Sequence, residues 1–212
     1  MYPPAPVVRK GRVVSQEPYH RLLEADRRKA HIKLLLEEIT QGEVPAGGVT
    51  LELGCGHGHW LTAYAQENPE RLCLGVDLIT RRIERANRKK DKRDLPHLHF
   101  FKAEAMELLQ AMNDSIQIDV TILLFPDPWP KKRHHKRRLI NKRFLDLLAK
   151  RSRKGGQLFF RTDHEGYFTW AREALENNAS WEWTPDQPWP LEHETIFQNL
   201  LPHHQSLAAR IT

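Results

Sequence analysis

The sequence predicts an α/β fold with a mostly parallel sheet and helices on both of its faces, and three observations carry that prediction. Short apolar segments alternate along the chain with longer segments of helical spacing, as in repeated βαβ units. One apolar segment, Asp119 to Phe125 (DVTILLF), lacks polar alternation, which marks a central strand buried on both faces. Glycines and acids gather where strands should end, and open parallel sheets bind their ligands at those ends.

Residues 1–18 read as an irregular basic arm with four prolines. Residues 19–40 have the spacing of a helix, through Leu22, Leu23, Ile32, Leu35, Leu36 and Ile39. Gly42, Pro45, Gly47 and Gly48 end it. Val49 to Leu53 is a strand, followed by Gly54-Cys55-Gly56-His57-Gly58 and a helix from His59 to Glu67 that Asn68-Pro69 closes. Arg71 to Val76 is the second strand and ends in Asp77; a basic helix over 79–93 follows. His97 to Phe101 is the third strand and 104–112 a short helix. After the central strand, a loop over 126–135 leads to a helix near 137–150. Gly155-Gly156 turns into a strand over 157–162, and a helix covers about 166–177. The remainder is mixed and leaves room for final strands. The expected organisation is an arm over 1–18 and one domain over 19–212.

Composition limits the functional classes. Forty per cent of the residues are hydrophobic and 28% charged, yet no apolar run approaches the ~18 residues of a membrane span, so no membrane partner is expected. Cys55 and Cys73 lie in apolar segments and read as buried thiols, which fits a reducing, cytoplasmic setting. The net charge of +6 favours a polyanionic partner, and its distribution says more. Twelve of the 33 Lys and Arg residues fall between Lys131 and Lys154, and a second set runs Arg81, Arg82, Arg85, Arg88, Lys89, Lys90, Lys92, Arg93. Twelve histidines include the adjacent pairs His134-His135 and His203-His204, but none has the spacing of a zinc set, and no metal is expected. The oligomeric state, monomer or homodimer, is open at this level.

The glycine turn indicates a nucleoside ligand. Glycines between a strand and a helix let the backbone approach a bound molecule. Asp77, at the next strand end, suits a carboxylate that accepts from two ribose hydroxyls. A dinucleotide fingerprint needs a third glycine at position 59, which is His59. The pattern is G-x-G-x-G over Gly54, Gly56 and Gly58, similar to that of class I methyltransferases. Their cofactor, S-adenosylmethionine, has no phosphate but carries a sulfonium and an amino-acid tail, and Glu52 would suit that cationic end. Glu104, just past the third strand, either reaches an adenine or simply opens a helix.

In Phe125-Pro126-Asp127-Pro128-Trp129 two prolines flank one acid, which stiffens the loop and fixes Asp127. The run Lys131-Lys132-Arg133-His134-His135-Lys136-Arg137-Arg138 follows at once, and its position favours phosphate contacts over a merely solvated face.

Together these segments resemble the tRNA (guanine-N7-)-methyltransferase family over most of the chain. The resemblance rests on Arg9-Lys10-Gly11-Arg12, on Leu51 to Gly58, on Phe125 to Trp129 with the basic run after it, and on Arg161-Thr162-Asp163. It implies a class I, Rossmann-like sheet of seven strands, S-adenosylmethionine as cofactor, tRNA as partner and a guanine N7 of the variable loop as target. It implies Glu52, Asp77, Glu104 and Asp127 at the cofactor, Asp127 as the catalytic position, and Lys131 and Asp163 as substrate contacts. Arg137 and Arg138 belong to the expected phosphate contacts. The family's late T-x-F-E segment falls on Thr195, Phe197 and Gln198, with Gln198 where the family has glutamate; Asp77 likewise stands where Glu is commoner. Two alternatives accompany this reading: a methyltransferase for another RNA, and a non-catalytic RNA-binding relative that keeps the cofactor pocket.

Overall fold

The computed structural model describes residues 17–41, 43–192 and 203–212. In chain order the elements are α1 (Glu17–Thr40), β1 (Val49–Leu53), α2 (His59–Glu67), β2 (Leu72–Asp77), α3 (Thr80–Lys92), β3 (Leu98–Lys102) and α4 (Ala105–Ala111). These are followed by β4 (Ile118–Leu124), a 3-10 turn (Lys132–Arg137), α5 (Lys142–Arg151), β5 (Ser152–Thr162), α6 (Glu165–Glu176), β6 (Trp181–Trp183) and β7 (Gln205–Ile211). The strands form one seven-stranded sheet in the order β3-β2-β1-β4-β5-β7-β6. The first five pair in parallel, while β7 runs antiparallel to both β5 and β6.

Helices cover both faces, as the alternating pattern predicts. Ile32 and Leu36 of α1, Leu108 and Leu109 of α4, and Phe144, Leu145 and Leu148 of α5 pack on one side. Trp60, Leu61 and Tyr64 of α2 and Ile83 and Ala86 of α3 pack on the other. β4 lies at the middle of the strand order with Val120 to Leu123 buried, the position its unbroken apolar run predicts. In α1 only the second half follows its apolar spacing inward: Ile32 and Leu36 are buried, while Leu22 and Leu23 stay exposed. The helix is tied to α4 by Arg28, which donates to both carboxylate oxygens of Glu107. No described helix is long and apolar enough to cross a membrane. Cys55 and Cys73 are free and buried, and burial pushes the Cys73 thiol up to about 12.

Two boundaries differ from expectation by 5 residues. The helix expected from 137 begins at Lys142, because Asn141 caps it by accepting from Phe144 N; the preceding basic residues wind instead into the 3-10 turn. β5 begins at Ser152, ahead of the glycine pair: Gly155 takes φ 77° within the strand rather than turning into it.

Candidate active site

β1 and β4 are neighbours whose successive strands fan out in opposite directions, β2 and β3 to one side and β5 to the other. Loops leaving two such strands diverge and open a crevice at the carboxyl edge. A cleft of about 390 Å³ lies there, walled by Gly54, Asp77, Leu78, Ile79, Glu104, the Leu123–Asp127 stretch, Trp129 and Arg137. The topology thus brings together Gly54, Asp77, Glu104, Asp127 and Arg137, which are far apart in the chain.

The glycine turn crosses the end of β2, where Gly54 N and Cys55 N both donate to Val76 O at 2.8 and 2.9 Å. Gly54 and Gly56 have φ of 75° and 54°, and a Cβ on either would meet nothing within 4 Å. Their backbone leaves room for a ligand to approach, which the sequence pattern anticipates. Gly58 serves packing instead: at φ 68°, its Cβ would fall 2.6 Å from Phe100 Cζ. The Asp77 carboxylate, 6% exposed, accepts from Gly56 N at 3.1 Å and Ile79 N at 2.8 Å, and Arg82 reaches it at 3.3 Å. Asp77 therefore fixes the turn while bordering the cleft.

Glu52 lies on β1 beside the turn and is buried, and its Oε2 has no hydrogen-bond partner. Burial pushes its carboxyl up to about 8, against the lowering effect of the Leu61 backbone and with a small further rise from Asp77. An orphaned buried carboxylate oxygen suits a cationic ligand group. Leu78 and Ile79, 61% and 46% exposed, present apolar surface to the same cleft and suit a purine face. Both escaped the sequence reading; the signal was two apolar residues directly after the strand-end acid, off the buried face of the following helix. Glu104 caps α4 by accepting from Glu107 N at 2.9 Å and also borders the cleft.

Asp127 is exposed on the loop after β4. Phe125 and Trp129, on either side, take left-handed φ of 47° and 44°, which costs non-glycine residues free energy. Several contacts hold this strained loop. Phe125 N donates to Arg161 O at 2.8 Å, and Trp129 packs edge-on against His134, with the Arg137 guanidinium 4.8 Å above its ring.

Arg138 corrects an expectation. It is 2% exposed and cannot reach a nucleic acid; its Nε donates to Pro128 O and its Nη1 to Gly166 O, both at 2.9 Å. Its guanidinium also lies over the rings of Tyr167 and Trp170. The loop's carbonyls claim the side chain, so Arg138 braces Asp127's loop from beneath, while Arg137 stays exposed at the cleft. Lys131 is exposed at the start of the 3-10 turn. Asp163 is exposed past the end of β5; β4 and β5 pair through Leu124 and Arg161, so Asp163 and Asp127 leave neighbouring strand ends. Arg9, Lys10, Gly11 and Arg12, and the later Thr195, Phe197 and Gln198, lie outside the described residues. The chain leading toward the latter is anchored beside the sheet: Arg161, 5% exposed, pairs with Glu192, donates to Ser206 and stacks 3.9 Å over Trp189.

Comparison with known proteins places these features in a family context. Residues 46–205 match the model of a family described as "Putative methyltransferase". The chain is 36% identical over 133 residues to the tRNA (guanine-N(7)-)-methyltransferase of Thermus thermophilus, a stretch covering 63% of this chain and 43% of that protein. It is 38% identical over 132 residues to the enzyme of the same name from Halorhodospira halophila, covering 62% and 57%. The Treponema pallidum protein of that name is 36% identical over 150 residues, covering 71% and 60%. The chain thus spans roughly half the length of these curated relatives. Among solved structures it resembles the 16S rRNA methyltransferase KamB (TM-score 0.60, 17% identity, 84% of this chain and 92% of that one). It also resembles the aminoglycoside resistance methyltransferase NpmB1 (TM-score 0.59, 16% identity, 85% and 93%). At these identities the two structures speak for the fold alone.

Proposed function

Since the chain belongs to the family described as "Putative methyltransferase", we propose that it transfers a methyl group from S-adenosylmethionine to N7 of a guanine in tRNA. The observation that carries this reading is Asp127, held on a strained and braced loop in the cleft that Asp77 and Gly54 also wall. The activity for which the Thermus, Halorhodospira and Treponema relatives are named supports it.

Bound S-adenosylmethionine supplies an electrophilic methyl on a sulfonium. Glu52 would offer its unpartnered carboxyl oxygen to the cationic end, whose charge favours loss of the Glu52 proton, and Asp77 would accept from ribose hydroxyls. Leu78 and Ile79 cover the adenine, and Glu104 borders it. Guanine N7 presents an in-plane lone pair and no proton, so the protein needs no general base. Its task is to align the lone pair with the methyl and to stabilise the positive charge arriving on the base. Asp127 does the latter and, through its fixed loop, helps with the former. Lys131 and Arg137 take backbone phosphates beside the cleft, and Asp163 contacts the substrate from the next strand end. By the family resemblance, Thr195, Phe197 and Gln198 are further substrate contacts in this reading, with a variable-loop guanine as target. The two unbridged, buried thiols support a cytoplasmic place for this work.

The test is transfer of labelled methyl to unmodified tRNA, with chemical cleavage to locate N7-methylguanosine. Asp127→Ala should lower the rate by roughly 10²–10³, the size of loss seen when one electrostatic contact leaves a preorganised site. Affinity for S-adenosylmethionine should stay near wild type, and the rate should show no optimum set by a histidine base. Absence of product from the wild-type protein on every tRNA, despite S-adenosylmethionine binding, would overturn the proposal.

A further inference from the structure

α3 carries Arg81, Arg82, Arg85, Arg88, Lys89, Lys90 and Lys92 against only Glu84 and Asp91. Ile83 and Ala86 are buried and fix the direction its basic side faces. Where α3 passes the glycine turn, a recess of about 520 Å³ opens, and its walls are His57, His59, Arg85, Arg88, Lys89 and Lys92, every one a cation or an imidazole. Lys89 is built into this wall: its Nζ donates to His57 O at 2.6 Å and lies 2.9 Å from His59 Nε2. Arg85 Nη1 lies 3.5 Å from His57 Nε2. Burial and the nearby Arg85 and Lys89 hold His57 below its ordinary pKa, as expected where positive charge is concentrated.

A solvated helix face usually intersperses both signs, and its ion pairs offset the repulsion. Arg82 in this helix does pair, with Asp77. Among the described residues Arg85, Arg88, Lys89 and Lys92 form no ion pair with a carboxylate. Uncompensated like charges around one concavity favour an anionic occupant. Arg85, Arg88 or Lys89, and Lys92 recur about one helical turn apart, roughly every 5.4 Å along one face. A row of single cations at that interval matches a chain bearing one charge per unit, and Arg85, Arg88 and Lys92 are all exposed. The first turn of the same helix supplies Arg82 to the cleft wall, so the row begins at the candidate active site.

We propose that this recess and the outer face of α3 form a second RNA-backbone site, which holds phosphates of the same tRNA whose guanine is presented at Asp127. This inference rests on the tRNA reading above. The site gives affinity and orientation and carries no base specificity, because phosphate contacts alone read no sequence.

The experiment measures binding of the full chain to an unmodified tRNA transcript by fluorescence anisotropy, as a function of salt. In the triple variant Arg85→Gln, Arg88→Gln, Lys92→Gln, the slope of log affinity against log salt should fall by roughly 2–2.7 for three lost contacts. Affinity for S-adenosylmethionine should be unchanged. Arg88→Lys, which keeps the charge, should keep the slope, and so should Lys154→Gln at the opposite, amino end of β5. An unchanged slope in the triple variant, or an equal fall in Lys154→Gln, would overturn the site. If the wild type methylates N7 while the triple variant keeps its slope, the α3 site fails and the reaction stands. If the slope falls but no N7-methylguanosine forms, the reverse holds. No binding of tRNA by the wild type would refute both.

Discussion

Replacing Arg138 tests whether a buried guanidinium holds the loop that carries Asp127. Arg138→Ala removes two hydrogen bonds of 2.9 Å from a charged donor, each worth about 1.5–3 kcal/mol. It leaves the carbonyls of Pro128 and Gly166 without this partner and opens space beside the Tyr167 and Trp170 rings. Removing the guanidinium also relieves its desolvation, which offsets part of the loss. A net destabilisation of about 3–4 kcal/mol follows, or a fall in Tm of roughly 6–16 °C for a domain of this size. Arg138→Lys keeps the charge but cannot span both carbonyls with a planar fork, and should fall between alanine and wild type. Urea denaturation gives the stability, and single-turnover methyl transfer below the lowered Tm gives the function. The rate should drop with little change in affinity for S-adenosylmethionine, because Glu52 and Asp77, which the proposal assigns to its cationic end and ribose, lie on β1 and β2. A variant as stable as wild type, whose tRNA affinity loses one phosphate contact's worth of salt dependence, would refute this account and return Arg138 to the surface.

Glu52 should make stability depend on pH. Its carboxyl sits at about 8 in the fold against 4.5 ordinarily, so the folded state keeps a proton that the unfolded chain has released. Stability should therefore fall as pH rises from about 4.5 to about 8 and level off above, and Glu52→Gln should remove that slope in denaturation curves recorded across the range. Persistence of the full slope in the variant would count against it. The glycines should separate into two kinds. Gly58→Ala combines a left-handed φ with a Cβ driven against Phe100 and Ala86, and should cost about 2–5 kcal/mol in urea denaturation. Gly54→Ala meets open space, so it should cost only the ~1–2 kcal/mol of its backbone strain while calorimetry shows weakened S-adenosylmethionine binding; equal stability losses would contradict the division.

Features encoded over a few residues were legible in the sequence alone. Strand and helix alternation, the doubly buried β4, the open glycine turn and the acid closing β2 follow from hydrophobic period and from backbone angles that glycine permits. Asp127 stood out because its two prolines restrict the chain locally, whatever surrounds it. The tertiary structure alone decided matters that depend on distant partners. In sequence, Arg138 and Arg137 are neighbours in one basic run; in the fold one is buried beneath the loop and the other faces the cleft, because only one side of that short link meets the Gly166 carbonyl and the Tyr167 ring. Likewise, Glu52 differs from its neighbours in β1 only once α2 covers it and leaves one oxygen unpartnered. The basic run of α3 became a concave site when helix packing set it against His57 and His59, more than 25 residues earlier in the chain. Charge is written residue by residue, but whether a charge is solvated, paired or left waiting for a ligand depends on burial, and burial is a property of the assembled sheet and helices.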